Sequence, residues 1–84
     1  MKTINFTGGS ITLYPDKLHL EQKALFSSRK TTTILFSEIR DLSALFDRLK
    51  IKTNAQNYSL WFGDNMRAFM AKNAIRDAMK NAGF

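Results

Sequence analysis

Catalysis in this chain would have to start from His19, because there is one histidine and no cysteine in its 84 residues. His19 lies in the run KLHLE, with Lys17 and Glu21 two residues away on either side. A general base needs a nucleophile within reach and a third group to orient it, and neither partner is evident at this spacing. A metal centre would need several His, Cys, Asp or Glu ligands at ligand spacing, and no such set is present. Gly8-Gly9 is not followed by Gly-Lys-Ser/Thr at a helix start, so it does not read as a phosphate loop. The expectation is a non-catalytic protein with neither cofactor nor metal, in which His19 is a solvent-facing strand residue.

Binding chemistry has more material. Lys50 and Lys52 alternate along one segment, and Trp61 lies on the segment that returns beside it. An aromatic ring with cationic neighbours suits a protein hot spot or an anionic surface, although a tryptophan covered by a neighbouring element is the plainer alternative. Lys23, Phe26, Arg29 and Lys30 surround a loop whose apolar residues would dip into a bilayer while its cations meet phosphates; an ordinary hairpin loop is the alternative there. Lys72, Arg76 and Lys80 recur at i, i+4 and i+8 and form a basic helical stripe, usually a solvated face and otherwise a nucleic-acid contact.

The overall balance permits all three. Thirteen Lys and Arg against seven Asp and Glu give a net charge of +6. Residues 1–42 carry six basic and four acidic groups, and residues 43–84 carry seven and three, so the excess leans toward the C-terminal half. Such a balance favours anionic partners. The length suits a single domain with one core. No apolar run approaches a membrane span, and the opening residues lack the apolar centre of a signal peptide, so a cytoplasmic location is expected.

The elements that must position these residues begin at the C-terminal end. The segment Tyr58–Phe62 alternates as a strand and leads through Gly63-Asp64 into a long amphipathic helix. Asp64 or Asn65 is its N-cap, and Gly83 supplies the left-handed stop. Met70, Ala71, Ala74, Ile75, Ala78, Met79 and Ala82 share one face at about 100° per residue. Met66 and Phe69 are expected to plug the end of the core from the first turn.

Upstream, the chain reads as short strands. Residues 1–7 alternate weakly, Gly8-Gly9 breaks them, and Ser10–Tyr14 alternates again. Tyr14-Pro15-Asp16-Lys17 is a turn, with proline presetting φ and aspartate bonding its own backbone. It pairs Leu13 with Leu18 and Ile11 with Leu20, and sets His19 opposite Thr12. The 22–30 segment is irregular, with Ala24-Leu25-Phe26 as either strand or apolar loop. Thr31–Phe36 is a β-branched strand. Across 37–50, Ile39, Leu42, Leu45, Phe46 and Leu49 have helical spacing, with Ser37 as a cap, whereas residues 49–53 alternate as a strand. A four-residue turn over 54–57 then sets Ile51 opposite Leu60 and Lys50 opposite Trp61. The fold class is α+β: a small antiparallel sheet or partly open barrel of five to seven strands capped by one C-terminal helix. The alternative is a ββββαββα order with a helix at 37–48.

The runs GSITLYPDKLHLE, RKTTTILFSEIRDL and LKIKTNAQNYSLWF ahead of a helix resemble bacterial pleckstrin-homology-like and GRAM-like domains over residues 9–82. The resemblance rests on hydrophobic patterns and carries over no invariant polar residue. It implies a partly open barrel with a capping helix. The function expected is a binding module acting through a protein partner or self-association at sheet edges and exposed aromatics. The alternatives are a peripheral binder of anionic lipids using Lys23, Phe26, Arg29 and Lys30, and a nucleic-acid binder using Lys72, Arg76 and Lys80 with Lys50 and Lys52.

Overall fold

The computed structural model describes residues 2–23 and 29–84. Four strands, β1 (Lys2–Phe6), β2 (Gly9–Leu13), β3 (Lys17–Gln22) and β4 (Lys30–Leu35), form one antiparallel sheet in sequential order. A 3₁₀ turn at Phe36–Glu38 carries the chain round a corner. Then β5 (Ile39–Leu45), β6 (Arg48–Thr53) and β7 (Asn57–Trp61) form a second, also in order. Helix α1 (Asn65–Asn81) closes the assembly. The two sheets do not form a closed barrel. The amide of Thr7, just beyond β1, donates to the Trp61 carbonyl of β7 at 3.0 Å. At the corner, Phe36 N–H donates to Asp16 O at 3.0 Å and Asn54 N–H to Glu38 O at 3.2 Å.

The β2–β3 hairpin has the expected register, with Leu13 opposite Leu18, Ile11 opposite Leu20 and Thr12 opposite His19. Tyr14 N–H donates to Lys17 O at 2.9 Å and closes the proline turn. Leu13, Leu18, Ile11 and Leu20 are all buried, while His19 lies on the outer face and its ring packs 4.7 Å from that of Tyr14. Because side chains alternate along a strand, pairing that satisfies one apolar pair satisfies the rest on that face.

No helix forms across 37–48. Ile39 and Leu42 are both buried although they stand three residues apart, because a β-bulge between Ile39 and Asp41 inserts an extra residue into β5. A bulge moves the inward face by one position and so produces the i, i+3 spacing that imitates a helix. Of the other three members of that spacing, Leu45 and Phe46 are exposed at a turn and Leu49 is buried in β6.

The β6–β7 register differs by two residues from expectation: Ile51 faces Tyr58, Lys50 faces Ser59, and Arg48 faces Trp61. The shift comes from the turn. Thr53 N–H donates to Gln56 O at 3.1 Å, its hydroxyl donates to the same oxygen at 2.6 Å, and the hydroxyl accepts from Gln56 N–H at 3.1 Å. That closure ends the turn two residues sooner than a loop over 54–57. A shift of two preserves parity, so Ile51 and Leu60 still point inward.

Helix α1 has the caps expected. Asp64 accepts from Met66 N–H at 2.8 Å. Phe84 N–H donates to Met79 O at 2.9 Å and Gly83 N–H to Lys80 O at 3.0 Å, with Gly83 at φ +92°, which together make a Schellman stop. Ala68, Ala71 and Ile75 are buried, and Ala74, Ala78, Met79 and Ala82 pack on the same core. The alanines let the helix backbone approach the sheets closely. Met70, placed on the buried face by the sequence, lies outside it, as do Met66 and Phe69; none of the three plugs the core.

Gly9 is a fixed point of the first sheet. A Cβ there would stand 1.9 Å from the Glu21 carbonyl oxygen and 2.9 Å from the Phe6 ring. The Gly9→Ala substitution is therefore expected to lower stability by about 3 kcal/mol, read by urea denaturation, whereas Ser10→Ala beside it should change stability by less than about 0.5 kcal/mol.

Candidate functional site

Inward packing of β6 decides where the candidate residues stand. Leu49, Ile51 and Thr53 are buried, and Leu49 and Ile51 share the core with Ala71 and Ile75 of α1. Arg48, Lys50 and Lys52 alternate with them and project from the opposite, outer face of the second sheet. Cross-strand pairing surrounds that row: Leu45 and Trp61 flank Arg48, Ser43 and Ser59 flank Lys50, and Asp41 and Asn57 flank Lys52.

Trp61 is 48% exposed, so no strand or helix covers it. Its indole Nε1 donates to the Asp47 carboxylate at 2.5 Å, and Asp47 O accepts from Phe62 N–H at 2.8 Å. The β5–β6 turn thereby fixes the ring, and Trp61 stands beside Arg48 rather than Lys50.

The helix stripe stands on the other side of the sheet. Arg76 and Lys80 line a crevice with Ile39–Leu42 of β5, and Lys72 Nζ lies 5.1 Å from the centre of the Phe69 ring. Lys72, Arg76 and Lys80 belong to the helix, which packs on the inner side of the second sheet, whereas Lys50 and Lys52 stand on its outer face; Asp41 of β5 lies between the two sets. Of the loop set, Phe26 lies outside the described residues. Lys23 and Lys30 are exposed, and Arg29 is ion-paired with Glu21 at 2.8 Å, which is the sole ion pair among the described residues.

A second surface was not singled out from the sequence. Five large apolar side chains are exposed on the β5–β6 turn and the first turns of α1: Leu45 (55%), Phe46 (75%), Met66 (64%), Phe69 (50%) and Met70 (62%), the last of which also lines a groove with Lys2–Asn5 of β1. Met66 and Met70 are four residues apart, and Phe69 is three from Met66, so they form one patch over the first turns. Phe46 occupies the first position of a two-residue turn at φ +55°, the one non-glycine residue with positive φ among those described. Glycine is the ordinary occupant of such a position. The sequence carried no signal for this position, because the conflict between residue type and backbone appears only with the φ angle.

Compared with models of protein families, with characterised proteins and with solved structures, the chain has no match. Among the described residues, no helix is long and apolar enough to cross a membrane, and no group of three or more His, Cys, Asp or Glu is placed to hold a metal ion.

The Asp47–Trp61 bond makes a direct prediction. Asp47→Ala should release the indole, shift its emission to longer wavelength and lower its fluorescence anisotropy, while reducing stability by about 1 kcal/mol. Unchanged emission would mean that the bond does not set the ring.

Proposed function

We propose that this chain is a non-catalytic binding module of pleckstrin-homology-like architecture that associates with a second copy of itself through the apolar end. The order of four strands, three strands and a C-terminal helix supports the architectural reading. The observation that carries the association reading is Phe46. A bulky side chain at positive φ costs about 1 kcal/mol or more, and at 75% exposure it gains little packing within its own chain. Local rules broken without an internal gain mark functional positions.

Three further points support a second copy as the occupant. Given the surface usual for their residue types, the five side chains expose on the order of 600 Å², at the upper end for the largest patch on a typical monomer and most of the ~800 Å² that each partner gives to a standard interface. The patch also has two halves of differing character. The turn half carries Asp47, and the helix half carries Arg67 and Lys72. A two-fold contact lays the turn of one copy on the helix of the other, because each patch must complement itself; the Asp47 carboxylate is held by the Trp61 indole and Arg67 by the Asn5 carbonyl, so the contact is an apolar one. Finally, Asp47 and Asp64 balance Arg67 and Lys72, so this end lacks the excess of cations that would draw it to an anionic bilayer.

Light scattering behind a sizing column tests the reading. A dimer is expected at both ~50 mM and ~500 mM salt, because an apolar contact is insensitive to screening. Phe46→Gly should yield monomer while leaving stability equal or higher, by up to about 1 kcal/mol; Met70→Lys should likewise yield monomer. A monomeric wild-type protein at millimolar concentration overturns the proposal.

A further inference from the structure

The outer face of the second sheet has features that the apolar end does not use. Arg48, Lys50 and Lys52 stand in line on its central strand, each exposed. Alternate residues of a strand are about 6.7 Å apart, a repeat comparable to the phosphate separation of an extended single strand. Ser43 and Ser59 flank Lys50 on either side, so the middle of the row carries short hydroxyl side chains beside its cation. A depression of about 340 Å³ lies there, lined by Asp41, Ser43, Lys50, Lys52, Asn57 and Ser59 among others. At one end stands the exposed Trp61, its edge fixed by Asp47.

The geometry points to this face as a binding site for single-stranded nucleic acid. The cations and hydroxyls take successive phosphates, and a base stacks on Trp61. Two carboxylates touch the face. Asp47 is engaged by the indole, and Asp41 stands opposite Lys52 at the far end, which leaves Arg48 and Lys50 as the strongest phosphate contacts. Sequence-tolerant single-strand binding needs a basic track and an aromatic platform on one surface, and both are present. Duplex DNA is disfavoured, because a flat three-stranded face offers no helix or ribbon to enter a major groove. The two surfaces adjoin at the β5–β6 turn, where Leu45 flanks Arg48 and Asp47 holds Trp61, and Phe46 belongs to the apolar end alone.

Trp61 is the single tryptophan of the chain, so its fluorescence reports on the site without a label. Titration of the full chain with a 12-mer oligodeoxythymidylate in ~50 mM salt should quench that emission. The log–log salt dependence should have a slope near −2, from about three phosphate contacts at ~0.7 each. Arg48→Glu with Lys50→Glu should weaken binding at least tenfold with thermal stability unchanged, whereas Lys72→Glu with Arg76→Glu should leave it within about twofold. Phe46→Gly separates the two proposals, since it should abolish association and spare oligonucleotide binding. Absence of quenching, equal affinity for duplex, or loss of affinity only in the helix variant overturns the inference. So does a shift of Trp61 emission to shorter wavelength with phosphatidylserine vesicles but no response to the oligonucleotide, which would assign the face to a membrane surface.

Discussion

Alternation along β6 is the constraint on which the rest of the molecule depends. Leu49 and Ile51 are fully buried in the core that Ala71 and Ile75 of α1 share, and this contact joins the C-terminal helix to the second sheet. Because successive side chains point to opposite faces, the same packing commits Arg48, Lys50 and Lys52 to the outer surface. It also sets the polarity of the two ends. The helix starts beside the β5–β6 turn and ends beside Ile39–Leu42 and Phe36, where Phe84 meets the Phe36 ring edge-on at 6.4 Å. Both ends of the helix are capped; the N-terminal end carries the larger group of exposed apolar side chains, whereas at the C-terminal end Phe84 is exposed but packs one edge on Phe36.

The N-terminal end is built by local chemistry of unusual economy. Asp64 caps the helix, Asp47 holds Trp61, and the Asp47 carbonyl receives Phe62 N–H. These bonds fix the backbone beneath Phe46, Met66, Phe69 and Met70 while leaving those side chains in solvent. Methionine on such a surface is adaptable, and Phe46 supplies a rigid ring at a strained turn. The combination describes a surface held ready for contact, with its polar groups already satisfied.

Much of the fold was legible because several signals agreed. Tyr14-Pro15-Asp16-Lys17 fixed a turn length, and the leucines on either side then allowed one register. Asp64 and Gly83 bracketed the helix with chemistry that hardly occurs by chance at both ends. Where a single signal stood alone, it misled. The bulge at Ile39/Asp41 imitated a helical period, and only a partner strand reveals a bulge. The β6–β7 register depended on the Thr53 hydroxyl, which selected a shorter turn than residue types alone implied. Met70 sits at the border of the helical stripe, where hydrophobicity does not say which side of the border is buried. Exposure was the information missing for the candidate sites: Trp61 was recognised by type, but its neighbour Arg48 emerged only with the register, and Phe46 only with its backbone angle. The apolar part of the 23–30 loop, Phe26 included, lies outside the described residues.

The central claim is that the helix N-terminal end is where two copies meet. The chain contains no cysteine, so one introduced residue gives one labelling position. Nitroxides at Asn65→Cys, beside the apolar end, and in a second sample at Ser37→Cys, at the far end, would be compared by double electron–electron resonance. The account predicts a defined interlabel distance for both, shorter for Asn65→Cys and lost on adding Phe46→Gly. A shorter distance from Ser37→Cys, or no dipolar coupling in either sample, would contradict it.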